Sequence, residues 1–183
     1  MKIEQRDIVE LWQQGETVCV TVSLVFQRKD GSGVMDRGNA LAMARACPDL
    51  PQKLGQCIQK GRGEVAFLAP RIIAFFTKPK TCPFELTLPD VVHLYSWDSE
   101  VPGNHCRADP VMVARSARQL LKLLDREKLE RVYLPVPGVG DGGLEADDIA
   151  EALEVLDRDP RVVLVSIRPI PGMETVQAEK TPA

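Results

Sequence analysis

The sequence predicts an α/β layered fold, because apolar strand-like segments alternate with helix-like segments along most of the chain. The clearest strand runs from Thr17 to Phe26 and is rich in β-branched residues. The clearest helix start is Asp109-Pro110, an N-cap residue followed by proline at the first helical position. Two glycine-rich turns each follow a predicted strand. Open α/β sheets bind their ligands at the carboxyl ends of strands, so these turns mark the expected site.

The other elements complete the alternation. The pattern predicts helices over 38–47, 50–60 and 147–156 and from 110 onward, and strands over 64–68, 71–76, 131–136 and 161–167. The first two short strands are separated only by Ala69-Pro70, so we expect them to pair. We predict one domain over 1–170 with an elaboration at about 78–107, where the apolar run 91–95 forms either an extra strand or a packed loop. The polar segment 171–183 is expected to be a flexible tail.

Composition excludes several functional classes. The chain has 183 residues, 44% of them hydrophobic and 27% charged, with a net charge of −3. This charge gives no basic surface for direct binding of a nucleic-acid backbone. No apolar run is long enough for a signal peptide or a membrane span, so we expect a cytoplasmic protein without membrane contact. The five cysteines lack C-x-x-C spacing, which favours reduced thiols over disulfides or a zinc site; we expect no metal and no cofactor.

The glycine-rich turns suit the binding of an anion. The first spans 31–38 and the second 138–143, and each runs into a helix-like segment. Glycine turns let backbone N–H groups converge on an anion, and a helix N-terminus adds partial positive charge. The first turn does not match a known phosphate loop, because Asp36 replaces the third glycine of a dinucleotide fingerprint, and Asn39 and Ala40 replace the lysine and hydroxyl of a Walker A loop. Each turn alone is explained by a tight strand-to-helix connection; for the pair we favour phosphate binding.

Together these motifs resemble those of the macrodomain, the ADP-ribose-binding module. The resemblance is to the branch whose first loop reads G-V-M-G-x-G-I-A and whose second reads G-C-G-x-G-G-L. In this chain the first loop reads GVMDRGNA from Gly33 to Ala40, and the second reads GVGDGGL from Gly138 to Leu144. The pair Asp7-Ile8 matches the family's aspartate and isoleucine near the N-terminus, and 71–78 is similar to its central strand with a polar exit.

The resemblance implies a three-layer α/β/α sandwich with a mixed sheet and a cleft at one sheet end. It also implies ADP-ribose, free or attached to protein or nucleic acid, as the partner. Asp7 would accept a hydrogen bond from the adenine amino group, although a helix N-cap or a surface acid explains this residue equally well. The implied ligand-binding residues are Asp7, Ile8, Ser23, Ser32, Gly33, Val34, Met35, Arg37, Gly38, Thr77, Gly138, Val139, Gly140, Asp141, Gly142, Gly143 and Leu144.

Departures from the family pattern leave catalysis open. De-ADP-ribosylating members of this branch use a lysine on the first helix, where this chain has Ala44. The candidate catalytic residues are Asp36 and Asp141, one in each loop, which would approach the distal ribose from opposite sides. The alternative is that Asp36 caps the following helix and Asp141 is a turn residue. Three hypotheses follow: a binding module or weak hydrolase of ADP-ribosyl groups, a non-catalytic reader of ADP-ribosylated macromolecules or free nucleotide, and a diverged copy that binds no nucleotide.

Overall fold

A computed structural model describes residues 2–177 and contains nine strands and five α-helices in that range. The strands are β1 Ile3–Gln5, β2 Val18–Ser23, β3 Val65–Ala69, β4 Ile72–Lys78, β5 Thr81–Pro83, β6 Glu100–Pro102, β7 Val132–Pro135, β8 Val162–Ser166 and β9 Thr175–Gln177. The helices are α1 Ile8–Gln13, α2 Gly38–Ala46, α3 Leu50–Gln59, α4 Pro110–Glu127 and α5 Ala150–Asp157.

Seven of the strands form one mixed sheet in the order β3-β4-β2-β7-β8-β1-β9. All neighbouring pairs are parallel except β3 and β4, whose antiparallel pairing confirms the expectation that these strands are neighbours. Strand β4 is buried along its whole length, and its side chains alternate between the two faces of the sheet. Parallel strands buried on both faces require helices on both sides, which is what the chain supplies.

The helices form two layers. Helices α4 and α5 pack on one face, where Leu120, Leu124 and Leu156 join the larger core cluster. Helices α1, α2 and α3 pack on the other face, where Leu11 and Met43 are fully buried. The fold class predicted from the sequence, an α/β/α sandwich around a mixed sheet, is therefore confirmed. The start of α4 is also as predicted, because the Asp109 carboxylate accepts a hydrogen bond from the N–H of Val111.

The sheet opens in its middle, between β2 and β7. The two strands are paired only at Val18 and Tyr133, and beyond this point they separate. The chain turns toward β3 and β4 after β2, and toward β8 and β1 after β7, so this is where the strand order reverses. A crevice at such a switch point, outside the carboxyl ends of the strands, is the usual ligand site of an open α/β sheet.

The predicted elaboration is a strap, defined here as residues 79–107. It contains β5 and β6, paired antiparallel, and short 3-10 turns, one of which covers Val92–Leu94 within the apolar run. Cys82 and Cys106 form a disulfide inside the strap. The expectation of reduced thiols was therefore wrong for these two cysteines, because the antiparallel pairing of β5 with β6 brings them together from 24 positions apart. Trp97, on the strap, is 75% exposed.

The C-terminal segment is only partly described. Residues Thr175–Gln177 form β9, which pairs with β1 at the edge of the sheet. The expectation of a flexible tail from 171 was wrong for these residues, since an edge strand satisfies its backbone by pairing even when its side chains are polar. The remainder of that expectation, over 178–183, lies outside the described residues.

Candidate functional site

A cleft at the carboxyl ends of β2 and β4 contains a cavity of about 80 Å³. Its walls come from the first glycine-rich loop, the start of α2, the end of β4, the strap and the second glycine-rich loop. The two loops therefore face each other across the cleft. The lining residues are Thr21, Val22, Ser23, Val34, Asp36, Arg37, Gly38, Asn39, Ala40, Thr77, Lys78, Asn104, Gly138, Val139, Asp141 and Gly142.

The first half of the first loop packs against α3 rather than lining the cleft. The carbonyl of Gly31 lies so close to Gly55 of α3 that a Cβ at Gly55 would overlap it. Gly33 likewise abuts the side chain of Leu54, and its N–H donates to the carbonyl of Pro51. These glycines allow close approach of two backbones, so they hold the loop in place.

The start of α2 presents its backbone to the cleft. Arg37 occupies the N-cap position, and within residues 2–177 its side chain makes no capping hydrogen bond. The alternative that Asp36 caps this helix is therefore wrong, because Arg37 directly precedes Gly38, the first helical residue, and the Asp36 carboxylate bonds Asn104 instead. An uncapped first turn leaves N–H donors available at the positive end of the helix dipole.

Asn39 fills the gap that opens between β2 and β7. Its side-chain oxygen accepts a hydrogen bond from the N–H of Thr21 at 2.9 Å, and its amide donates to the Thr21 hydroxyl at 2.7 Å. The Thr21 N–H lies on the β7 side of β2, because Thr17, four residues earlier on the same side, accepts from the N–H of Tyr133. Asn39 thus supplies the hydrogen bond that the Thr21 N–H does not receive from β7. It also anchors α2 to the floor of the cleft.

The second loop approaches the first at one point. The carboxylate of Asp141 lies against Gly38, where any Cβ would overlap it. Gly138 and Gly140 have φ values of 80° and 73°, in the left-handed region that favours glycine. Gly140 has open space where its Cβ would be, so its backbone is accessible.

Ser23 lies at the bottom of the cleft, at the end of β2. Its side chain is 5% exposed, and its Oγ has no hydrogen-bond partner among residues 2–177. A buried hydroxyl without a protein partner costs free energy, so the Ser23 Oγ is available to bond a water or a ligand atom in the cavity.

Lys78 ends β4 and projects between the two loops. The residue is only 8% exposed, and its Nζ donates to the backbone carbonyls of Asp141 at 3.0 Å and Asn104 at 3.4 Å. The pKa of Lys78 is lowered from 10.5 to about 8; burial is the main cause and the positive charge of Arg37 adds to it, while the nearby acids Asp141, Asp36 and Asp90 oppose the shift. A lysine with such a pKa supplies an appreciable fraction of neutral amine near physiological pH.

The strap contacts the charged rim of the cleft. The Asp36 carboxylate accepts a hydrogen bond from the side-chain amide of Asn104 at 3.1 Å. Arg37 forms an ion pair with Asp90 at 2.7 Å, and this hydrogen bond holds the pKa of Asp90 below its usual range. The two loops, Lys78 and the strap therefore form one connected polar network.

Nine of the residues predicted to bind ligand line this cavity, among them Ser23, Thr77 and Asp141, and the candidate acid Asp36 lines it as well. The Asp7 carboxylate accepts from the N–H of Val9 at 2.7 Å and caps α1, as its alternative interpretation held; its contact with adenine stays a prediction. The other predicted residues outside the cavity wall are Ile8, Ser32, Gly33, Met35, Gly140, Gly143 and Leu144.

The sequence analysis missed Lys78 and Asn104 as site residues. The signal for Lys78 was present, since a lysine directly after a long apolar strand lies at the sheet edge where ligands bind. Asn104 had no signal, because its position depends on the folding of the strap. Nowhere in residues 2–177 do three or more His, Cys, Asp or Glu side chains group around a possible metal position. Over the same range, no helix has both the length and the apolar character needed to cross a membrane.

Comparison with known proteins extends the fold assignment. No protein-family profile matches the sequence, and none of the curated proteins matches it significantly. Among solved structures, the macrodomain of Mycobacterium tuberculosis DarG has a TM-score of 0.60 at 18% identity, covering 90% of this chain and 97% of that one. The macrodomain of Thermus aquaticus DarG has a TM-score of 0.54 at 18% identity, covering 92% and 97%.

A third structure, Thermosipho africanus DarTG in complex with ADP-ribose, has a TM-score of 0.53 at 19% identity. The match covers 85% of this chain and 39% of that larger one. At these identities the likeness concerns the course of the backbone. With the mixed seven-stranded sheet, the two helical layers and the cleft at the switch point, it shows that this chain has the macrodomain fold.

Proposed function

We propose that the cleft binds ADP-ribose or an ADP-ribosyl group and that Lys78 takes part in its removal from a macromolecule. The observation that carries this proposal is the buried Lys78 amine between the two facing loops. The Thermosipho DarTG structure, which shares the fold, contains ADP-ribose. A diphosphate needs hydrogen-bond donors and positive charge around it, and Arg37 and Lys78 among the lining residues support this proposal.

Binding of the diphosphate follows from the backbone. The uncapped first turn of α2 offers N–H donors from one wall, and the backbone of Gly138 and Gly142 lines the opposite wall. Lys78 and Arg37 supply positive charge to offset the two acids that share the cavity wall. The unpartnered Oγ of Ser23 is positioned to bond a ribose hydroxyl, which both donates and accepts.

Removal of the ADP-ribosyl group requires a nucleophile at the anomeric carbon of the distal ribose. The neutral amine of Lys78 attacks this carbon; an N–C bond forms while the bond to the macromolecule breaks, and its electron pair leaves with the departing atom. The proton lost by the new N–C adduct passes to that atom. Water then forms a C–O bond at the same carbon, the C–N bond breaks, and free ADP-ribose and Lys78 are regenerated. The Asp141 carboxylate stabilises the positive charge that develops on the ribose carbon.

A non-catalytic reader is the second candidate, and one observation favours it. The Lys78 Nζ donates to two backbone carbonyls, an arrangement that suits an ammonium ion. In that case Lys78 would serve as a fixed cation for the diphosphate, and its removal would weaken binding rather than abolish turnover.

The first experiment is isothermal titration of the protein with ADP-ribose, with AMP as the control. We expect saturation at one site for ADP-ribose and much weaker binding of AMP, because AMP lacks the second phosphate and the distal ribose. Absence of heat up to millimolar ADP-ribose would contradict the proposal and leave the diverged copy as the remaining hypothesis.

The second experiment separates hydrolase from reader. Release of ADP-ribose from an ADP-ribosylated substrate is measured for the wild type, Lys78→Met and the matched control Lys80→Met, which removes an exposed lysine two positions later. Hydrolysis through Lys78 predicts a loss of about 100-fold or more for Lys78→Met alone. A reader predicts no turnover by the wild type and weaker ADP-ribose binding by Lys78→Met.

A further inference from the structure

The strap is held to itself by its disulfide, by the β5–β6 pair and by backbone hydrogen bonds such as that from the Leu88 N–H to the His105 carbonyl. Its own buried cluster consists of Cys82, Val101 and Cys106, with Tyr95 packed against them. So small a core buries little apolar surface for a segment of this length, and small structural units of this kind rely on covalent staples. The disulfide links Cys82, in the middle of β5, to Cys106, four residues after the end of β6.

The stapled end of the strap lies beside Lys78. Gly103 packs so closely on the backbone of Pro79 that a Cβ would overlap the Pro79 carbonyl, and its N–H donates to the carbonyl of Lys80. Asn104 therefore sits directly over the residues that follow Lys78, two positions before the disulfide-bonded Cys106.

The strap touches every functional wall of the cleft. Asn104 accepts from the Lys78 Nζ through its carbonyl and donates to Asp36 through its side chain. Asp90 pairs with Arg37 at the start of α2. On the other side, the methyl groups of Leu88 lie against Gly143 of the second loop. A change in the strap is thus transmitted to both loops and to the lysine between them.

We propose that Asn104 is a positioning residue for Lys78 and that the Cys82–Cys106 disulfide keeps it in place, so that the cleft works fully only while this disulfide is intact. Activity as a readout rests on the proposed function, whereas the environment of Lys78 can be measured without any ligand. Reduction by a dithiol transfers two electrons: the S–S bond breaks, Cys82 and Cys106 become thiols, and the dithiol is oxidised to its cyclic disulfide.

The charge environment of Lys78 predicts the direction of the effect. The groups that face it are Arg37 at the start of α2, Asp36 in the first loop, Asp141 in the second loop and Asp90 in the strap. Burial is the main cause of its lowered pKa. Release of the strap exposes the amine to water, so the pKa of Lys78 rises toward its ordinary value.

The test compares four forms of the chain: the oxidised wild type, the wild type treated with dithiothreitol, Cys82→Ser/Cys106→Ser, and Cys47→Ser as a control for a thiol that forms no disulfide. The acetylation rate of Lys78 is measured against pH by mass spectrometry, with exposed Lys80 as the internal reference. Mass spectrometry also counts free thiols, and circular dichroism checks that each form is folded.

We expect the midpoint of Lys78 acetylation to rise by about one pH unit in the reduced wild type and in the double variant. Where ADP-ribosyl release is measurable, we expect it to fall about tenfold, with its pH profile shifted in the same direction. Cys47→Ser should match the oxidised wild type in both measurements. Asn104→Ala, which keeps the disulfide but loses the bond to Asp36, should shift the midpoint in the same direction by less.

Two results would overturn the proposal. One is that the purified protein, isolated without reductant, carries Cys82 and Cys106 as free thiols. The other is that a folded double variant, or the reduced wild type, keeps the Lys78 midpoint of the oxidised protein. Failure of ADP-ribose to bind would refute the proposed function and leave the Lys78 measurement interpretable, so the two failures are distinguishable.

Discussion

The two glycine-rich loops look alike in sequence and differ in what their glycines do. In the first loop, Gly33 has no room for a side chain because Leu54 of α3 presses against it, and the carbonyl of Gly31 lies against Gly55 of α3. In the second loop, Gly140 has open space around it and a φ in the left-handed region. Glycine is favoured there by the backbone conformation, and it leaves the backbone accessible. Glycines in two similar turns before a helix can therefore have different structural roles, close packing in one and backbone conformation in the other. The first loop is fixed by packing, and only its last residues, with the start of α2, reach the cleft.

The largest expected effect tests the packing of the first loop. Gly55→Ala places a methyl group into the Gly31 carbonyl, and because backbone cannot move aside cheaply, we expect the free energy of unfolding to fall by about 3 kcal/mol. Gly140→Ala, in open space but at positive φ, should cost about 1 kcal/mol. Urea denaturation of both variants measures the difference. Equal losses would break the comparison between the loops.

The next effect concerns the acids of the two loops. Asp141→Ala removes the carboxylate that lies against Gly38, and we expect turnover to fall about 100-fold with ADP-ribose affinity unchanged or tighter, since a negative charge near the diphosphate is lost. Asp36→Ala should cost only about tenfold, because its carboxylate is already engaged by Asn104. Single-turnover kinetics gives both numbers. If Asp36→Ala is the more damaging change, the first loop carries the chemistry instead.

A smaller effect tests the floor between the loops. Ser23→Ala deletes a buried hydroxyl that has no partner within the described residues, so stability should not fall, whereas ADP-ribose affinity should drop about tenfold. Ser116→Ala is the matched control, because its buried Oγ donates to the carbonyl of Phe76 at 2.7 Å. This control should lose about 1 kcal/mol of stability and no affinity. Calorimetric titration and thermal unfolding of both variants decide whether Ser23 is a ligand contact.

The smallest effect is the pH dependence that Lys78 imparts to stability. Its folded pKa of about 8 lies below its ordinary 10.5, so between these values the unfolded chain binds the proton that the folded chain has lost. Stability from this group therefore rises with pH across that window, and the cost of the buried charge is fully present below it. We expect Lys78→Met to gain about 1 kcal/mol at neutral pH and to flatten this slope. Denaturation at several pH values checks it; an unchanged slope would mean that Lys78 titrates normally.

The layers of the fold were predictable because their signals are local. The strand from Val18, the helix capped by Asp109 and the antiparallel pair on either side of Pro70 each follow from periodicity, capping and turn chemistry within a few residues. The location of both loops at the carboxyl ends of strands, where open α/β sheets bind ligands, was also predicted from the order of the elements. These parts of the site needed no knowledge of long-range contacts.

An elaboration at the position of the strap was predicted, but its internal structure was not predictable, for a physical reason. Strands β5 and β6 are three residues long and each ends in a proline, a residue that weakens a strand signal because it cannot donate to a ladder. Without those strands, nothing in the spacing of Cys82 and Cys106 indicates that they meet. Asn104 reaches the cleft only because the strap folds in this way. Lys78 was not predicted as a site residue, although its position at the end of a strand could be read from the sequence.

The opening between β2 and β7 also divides the sheet into two groups of strands. On the β3-β4-β2 side and on the β7-β8-β1-β9 side, the strands are joined by continuous ladders, but the two groups share a single paired position at Val18 and Tyr133. Beyond that position, Asn39 of α2 bonds the backbone N–H and the hydroxyl of Thr21 on β2. Among the described strands, the seam between β2 and β7 therefore has the fewest paired positions in the sheet, and contacts from α2 complete the β2 side of it.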